Sequence, residues 1–176
     1  MVTNNAANIA TGATSTVLTG QGVGSSPTFS ATPDVTSMSF GGGTALANYV
    51  QGTFTPAVAF GGGTTGIKYS TQTGTYTRVG RLVFISFIFT LTSKGSSTGT
   101  ATITGMPVTA GLNSQIIPCQ ADSLTYTGDT FPFCAINNAS TTLSVFASGS
   151  NTTFATMADT NFANTTTFRC QGFYFV

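Results

Sequence analysis

The chain has 176 residues, which suits one β-sandwich or barrel domain together with an extended segment. It contains no histidine, glutamate or tryptophan, so its only acidic side chains are four aspartates. General acid–base catalysis needs titratable groups tuned near the working pH, and we therefore predict that the chain is not an enzyme. Its five basic residues are scattered singly, whereas binding a phosphate backbone requires clustered cations, so we predict no nucleic-acid partner.

Charged residues make up only 5% of the chain, and the net charge is +1. Solubility must then depend on hydroxyl and amide groups, and like-charge repulsion does little to keep copies apart. Apolar residues reach 40%, enough to bury a core. This balance favours a folded chain that self-associates.

Three cysteines, Cys119, Cys134 and Cys170, are an odd number with no close pair in sequence. They predict neither a metal site nor a full disulfide framework, and we interpret them as small buried apolar residues. No motif calls for a cofactor.

The N-terminus lacks the basic and then apolar stretch of a secretory signal. The longest apolar run, residues 82–89, is far shorter than the roughly 20 residues of a membrane-spanning helix, so no membrane insertion is expected.

Residues 1–48 are rich in Gly, Ser, Thr and Asn and poor in aromatic residues. They cannot bury a core, and we predict an extended shaft or linker segment. A head domain is predicted over residues 49–176, where Thr, Val, Ile, Phe and Tyr dominate and turn residues interrupt short apolar runs. The pattern predicts an all-β fold, an antiparallel, jelly-roll-like β-sandwich with strands at 52–60, 66–69, 73–79, 82–92, 99–104, 116–126, 132–137, 142–147, 152–157 and 166–176.

The clearest local signal is a hairpin whose strands meet at Val79 and Gly80. Glycine supplies the positive φ that a tight hairpin turn demands. Arg78 and Arg81 flank this turn, and we interpret them as charges at the solvent-exposed end of the hairpin.

Two strands carry apolar residues on both faces. In the strand from Leu82, Phe87 and Phe89 share a face opposite to that of Phe84; in the last strand, Phe173 and Phe175 oppose Tyr174. One face of each strand meets the core and the other needs a second cover, for which a neighbouring subunit is the natural candidate. We predict an oligomer interface at Phe87, Phe89, Phe173 and Phe175, and a docked C-terminal strand.

Several short blocks follow one another in a recognisable order: FGGGTALANY at 40–49, GTFTP at 52–56, GTYTRVGR at 74–81, SKGSSTG at 93–99 and ITGMP at 103–107. This order resembles that of the C-terminal domains of bacteriophage tail fibre proteins. Upstream, VLTGQGVGSSPTF at 17–29 resembles the shaft-side repeats of such fibres. The resemblance covers roughly residues 16–108. It implies a homotrimeric knob on the tail fibre of a virion, acting outside the cell to attach the particle to a glycan or protein receptor on the host surface. A structural tail or virion decoration subunit without a receptor, and a bacterial surface adhesin, remain the alternatives.

Receptor contacts are expected beyond residue 108. Sugar recognition combines an aromatic ring with carboxylate and amide groups, and the candidates are Tyr126, Asp129, Asn137 and Asn138. The alternative interpretation is that these are solvated turn residues. Asp122 and Asp129 could form a glycosidase pair, but the sequence supplies no apolar pocket to keep one of them protonated.

Overall fold

The computed structural model describes residues 17–19, 28–30, 37–38, 46–112, 114–125, 131–148 and 154–176, with side chains from residue 48 onward. These ranges contain strands and one 3₁₀ turn, Asp159–Asn161, and no α-helix. The strands are β1 Val17–Thr19, β2 Thr28–Ser30, β3 Ser37–Met38, β4 Leu46–Ala47, β5 Val50–Phe54, β6 Ala57–Phe60, β7 Ile67–Val79, β8 Leu82–Lys94, β9 Ala101–Thr104, β10 Gln115–Leu124, β11 Phe131–Ile136, β12 Leu143–Ser148, β13 Phe154–Thr156 and β14 Phe162–Phe175. No helix in the described ranges has the length and apolar character needed to cross a membrane.

Ten strands form one antiparallel sheet in the order β5-β7-β8-β14-β10-β11-β12-β9-β6, with β13 paired to β12. The sheet curls into a half-barrel. Strand β10 makes the bend possible because its residues 115–118 pair with β11, whereas the segment from Cys119 onward pairs with β14. β1 pairs with β2 and β3 with β4 in two separate small sheets.

The β7–β8 hairpin is confirmed. Val79 and Leu82 are cross-strand partners, and Gly80 adopts a φ of +57° in the turn between them. Arg81 lies at the exposed end, where its Nε donates to the Val176 carbonyl at 3.1 Å. The backbone N–H of Val176 in turn donates to the Arg81 carbonyl, so the hairpin turn also holds the chain end.

The core lies on the inner side of the curl, where the two ends of the sheet face each other. Phe60 of β6 packs edge-on against Phe162 of β14 with ring centroids 5.1 Å apart. Phe89 of β8 stacks on Phe168 of β14 at 5.5 Å. Across the open side, the Tyr69 hydroxyl accepts a hydrogen bond from the Val58 N–H at 2.9 Å. The core therefore joins strands from opposite ends of the sheet order.

The alternation along β8 shows which of its two apolar faces is the inner one. Phe87 and Phe89 are buried in the core of a single chain, at 4% and 0% exposure, while Leu82 and Phe84 point outward. In this fold neither Phe87 nor Phe89 offers a surface to a second chain. Phe84 is the outward-facing aromatic residue of β8. Of the four residues predicted at the interface, Phe173 and Phe175 of β14 are the two that are exposed.

Strand β14 lies in the middle of the sheet, between β8 and β10. This confirms that the C-terminal strand is docked. Along it Tyr174 is buried, whereas Phe173 is 54% and Phe175 38% exposed. The all-β, antiparallel character is confirmed as well. The jelly-roll arrangement and the division at residue 48 stay predictions.

Candidate functional site: the outer face of the sheet

Half of the predicted receptor contacts fall within the described residues. Asn137 and Asn138 lie in the exposed turn that follows β11. The Asn137 Oδ1 accepts a hydrogen bond from the Ser114 N–H at 3.2 Å, so this side chain fixes a neighbouring loop. Tyr126 and Asp129 lie outside the described residues. The four-residue site therefore stays a prediction.

A different feature stands out on the convex side of the sheet. Large apolar side chains point outward from neighbouring strands, a set we call the outer aromatic face: Leu82, Phe84, Ile116, Phe131, Phe133, Phe146, Phe154, Phe173 and Phe175. Among them, Phe131 is 77% and Phe154 70% exposed. Exposed apolar side chains that cluster in a patch mark binding surfaces, whereas single scattered ones do not. The clusters at the two ends of this face are thus the strongest sign of an interaction site.

The outer aromatic face has two ends. At the hairpin end, the register of β8 and β14 places Phe173 opposite Phe84 and Phe175 opposite Leu82. The rings of Phe173 and Phe175 meet edge-to-face, with centroids 5.9 Å apart. Aromatic pairs of this geometry are rigid contact surfaces that lose little side-chain entropy on binding.

At the other end, β11, β12 and β13 form a shallow hollow of about 180 Å³. Phe133 stacks on Phe146 at 5.4 Å and meets Phe154 edge-on at 5.2 Å. Ile116 and Ala135 complete the apolar floor. A ring or a methyl group of a partner would fit there.

Between the two ends lies a groove of about 570 Å³ with mixed polar and apolar walls, formed across β8, β14 and β10. Its outward side chains are Ser86, Ile88, Pro118, Gln120, Arg169 and Gln171. The alternation of the strands explains this composition, because the inner neighbours Phe87 and Cys170 belong to the core. We call this hollow the central groove.

Arg169 is the only cation that lines the central groove in the described part of the chain. Its Nη1 donates to the Asp122 Oδ2 at 2.6 Å, and both side chains remain about half exposed. An exposed ion pair of this kind contributes little to stability, typically about 0–1 kcal/mol. Its effect is to hold the guanidinium in place, with further N–H donors available to a ligand.

The carboxamides of Gln120 and Gln171 flank this ion pair and are exposed. Neither makes a hydrogen bond to another described residue. Each carboxamide offers two donors and an acceptor. Together with the guanidinium they suit a ligand rich in hydroxyl or carboxylate groups.

The other described carboxylate, Asp159, is used structurally. Its Oδ1 accepts from the Gly99 N–H at 2.8 Å, and its Oδ2 lies 3.8 Å from the Lys94 Nζ. Lys94 also donates to the Asp159 main-chain carbonyl at 2.9 Å. This aspartate therefore anchors the loop before β9.

The cysteines differ from the prediction. Cys119 and Cys170 form a disulfide, which the sequence spacing did not reveal. Cys134 is a free and fully buried thiol, as expected of a small core residue. Cys119 and Cys170 are cross-strand partners on β10 and β14, and this register, not the spacing along the chain, decides which two cysteines pair.

No family model and no curated protein matches the chain. Among solved structures, the chain is similar to the Dettilon tailspike protein gp208, with a TM-score of 0.60 and 21% identity over 71% of this chain. The matched part is 23% of the tailspike, so the chain spans about a quarter of that protein's length. The similarity shows that the two share a fold over this region.

Proposed function

We propose that the chain is the head domain of a phage tail fibre, that it works as a homotrimer on the virion, and that it attaches the particle to a host-surface glycan without cleaving it. The observation that carries the proposal is the outer aromatic face with the central groove within it. Two further findings support it: the fold shared with a tailspike and the tail-fibre-like order of sequence blocks between residues 16 and 108.

The hairpin end of the outer aromatic face supports the homotrimer. Phe173 and Phe175 are rigidly paired, partly exposed and on a central strand. Burying the remaining half of a phenylalanine side chain stabilises an assembly by about 1 kcal/mol, since complete burial is worth roughly 1.5–3 kcal/mol. Around a threefold axis this gain is repeated in every subunit. The low charge of the chain leaves little repulsion to oppose it.

The central groove supports a glycan as the ligand. Gln120 and Gln171 present exposed carboxamides beside Arg169, and Ile88 and Pro118 add apolar surface to the groove. Pyranose rings combine hydroxyl edges with apolar faces, which matches this mixture of groups. Of the two described carboxylates, Asp122 is paired to Arg169 and Asp159 anchors a loop, so neither is poised as a general acid.

The trimer is tested by sedimentation. The wild-type chain should sediment as a trimer, and the double variant Phe173→Ser with Phe175→Ser should shift toward monomer while keeping its far-ultraviolet spectrum. Tyr49→Ser with Val50→Ser is the matched double control, because both side chains are exposed and lie outside the outer aromatic face. A monomeric wild-type chain would overturn the trimer.

The receptor is tested with labelled trimer on host cells and on cells stripped of surface glycan. Arg169→Gln and the double variant Gln120→Ala with Gln171→Ala should weaken binding at least about tenfold, the effect of losing some 1.4 kcal/mol of polar contacts. Lys68→Gln is the charge-matched control on the exposed part of β7. Binding that survives glycan removal would refute a glycan and point to a protein receptor.

The same assay separates the alternatives. A structural decoration subunit would form trimers and bind no cells. An adhesin would bind cells but would be encoded with a secretion system rather than with virion proteins. A chain that trimerises, binds cells and is recovered in purified virions fits the proposed function alone.

A further inference from the structure

The three cysteines of the chain converge at one point of the core, although they come from three different strands. Cys119 and Cys170 face each other on β10 and β14, with Cα atoms 4.2 Å apart. Cys134 lies on β11, opposite Ile117 of β10. Its Sγ is 3.8 Å from the Sγ of Cys170, and all three sulfur atoms lie within 4.8 Å of one another. We call this group the sulfur triad.

The third thiol is not a direct cross-strand partner of either half of the disulfide. Cys134 and Cys170 lie on strands that are separated by β10, and Cys119 and Cys134 are diagonal neighbours on β10 and β11. Diagonal positions are about 7–8 Å apart, at or beyond the limit of about 7 Å between the Cα atoms of a disulfide. The register therefore favours the Cys119–Cys170 bond and leaves the Cys134 sulfur beside it as a thiol.

The spacing does fit a metal ion. Zinc binds cysteine sulfur at about 2.3 Å, which places the sulfur atoms of one site roughly 3.8–4.0 Å apart. The Cys134 and Cys170 sulfurs already have this separation. Reduction of the disulfide frees the Cys119 and Cys170 sulfurs to part to the same distance. Thiolates are also the ligands that soft, d¹⁰ metal ions prefer.

We propose that the reduced chain binds one soft divalent ion of the Zn²⁺ type through Cys119, Cys134 and Cys170, and that the disulfide and the metal site are alternative states of the triad. A dithiol reductant gives two electrons and two protons to the disulfide and becomes a disulfide itself. The ion then displaces one proton from each of the three thiols. A water molecule at the fourth position would complete a tetrahedral site.

The burial of the three residues also fits this site. Cys119 is only partly buried, whereas Cys134 and Cys170 are buried, so the triad reaches the surface on the side of Cys119, where an ion can enter. Because the ion displaces protons from the thiols, metal affinity should fall as the pH falls.

The inference is tested by folding the full chain with its thiols reduced, dialysing it against Zn²⁺, and measuring metal by atomic absorption and thiols by titration. We expect about one zinc per chain, as for a structural cysteine site, together with a higher unfolding temperature. Cd²⁺ used in its place should give the ultraviolet charge-transfer absorption of cadmium thiolates. Reoxidation should expel the ion and restore the Cys119–Cys170 disulfide.

The oxidised wild-type chain is the first control, because it has the same sequence without the site and needs no substitution. Cys134→Ser is the second: it should abolish zinc binding yet still form the disulfide on oxidation. Zinc retained after oxidation, equal binding by Cys134→Ser, or no zinc on the reduced wild-type chain would each overturn the site. Should Cys134→Ser fail to fold, the comparison of the oxidised and reduced wild-type chain decides alone.

Discussion

Tyr174 offers the sharpest test of how β14 organises the fold. Its ring is fully buried, and its hydroxyl donates to the Val108 carbonyl at 2.7 Å and accepts from the Val108 N–H at 3.3 Å. These bonds hold the segment after β9 against the last strand. Tyr174→Phe removes the oxygen and leaves both backbone groups of Val108 unpaired, which should lower the free energy of unfolding at pH 7 by about 1–3 kcal/mol.

The same residue makes stability depend on alkaline pH. Burial raises the pKa of Tyr174 to about 12 from its ordinary 10. Between these values the unfolded chain has lost the proton and the folded chain keeps it, so the stabilisation is complete below pH 10 and declines as the pH rises toward 12. The decline is about 1.4 kcal/mol per pH unit. The Tyr174→Phe variant lacks this pH-dependent loss of stability.

Urea unfolding of both chains at pH 8 and pH 11 measures the effect. The stability gap between wild type and Tyr174→Phe should shrink by about 1.4 kcal/mol at the higher pH. Tyr69, whose pKa burial also raises, is present in both chains and its contribution cancels. Tyr49→Phe removes a hydroxyl from a ring that is 61% exposed and is the surface control; at pH 8 it should leave the free energy of unfolding within about 0.5 kcal/mol of wild type. A gap that is the same at both pH values would refute the assigned burial of the Tyr174 hydroxyl.

Two further outcomes follow from the backbone and the disulfide. Gly62 and Gly95 both have positive φ, but a Cβ at Gly62 meets nothing, whereas one at Gly95 would overlap the Thr65 carbonyl oxygen. By urea unfolding, Gly62→Ala should cost about 1 kcal/mol and Gly95→Ala at least about 2 kcal/mol more; equal costs would contradict the close approach. The Cys119–Cys170 disulfide closes a separation of 51 residues, so replacing both cysteines by serine should cost the oxidised chain about 4 kcal/mol. No loss of stability would show that the bond does not form.

The fold class could be predicted from the sequence because its signals are local. The two-residue alternation of β8 and the glycine at position 80 define a hairpin without any knowledge of its partners. The alternation could not, however, predict which face of β8 points into the core. Phe84 and Phe87 are chemically alike and lie on opposite faces, so alternation alone assigns neither to the core.

The pairing between distant strands could likewise not be predicted from the sequence. The register that sets Cys119 opposite Cys170 lies where β10 passes from pairing with β11 to pairing with β14. The central groove also depends on contacts between residues that are distant in sequence, because Gln120 and Arg169 are cross-strand neighbours only in this register. Neither Gln120 nor Arg169 belongs to a motif, and no signal in the chain pointed to them as a pair.

The proposed trimer and the proposed glycan site support each other through their shared surface. Phe173 and Gln171 are successive outward residues of β14, so the ring end of the outer aromatic face borders the central groove directly. A trimer that buries the rings therefore sets three grooves around one axis. A repetitive surface glycan can then be held at several points at once, and linked sites can exceed the affinity of a single site by 10²–10⁴-fold. In the proposed trimer, a groove with few polar contacts would therefore suffice for attachment.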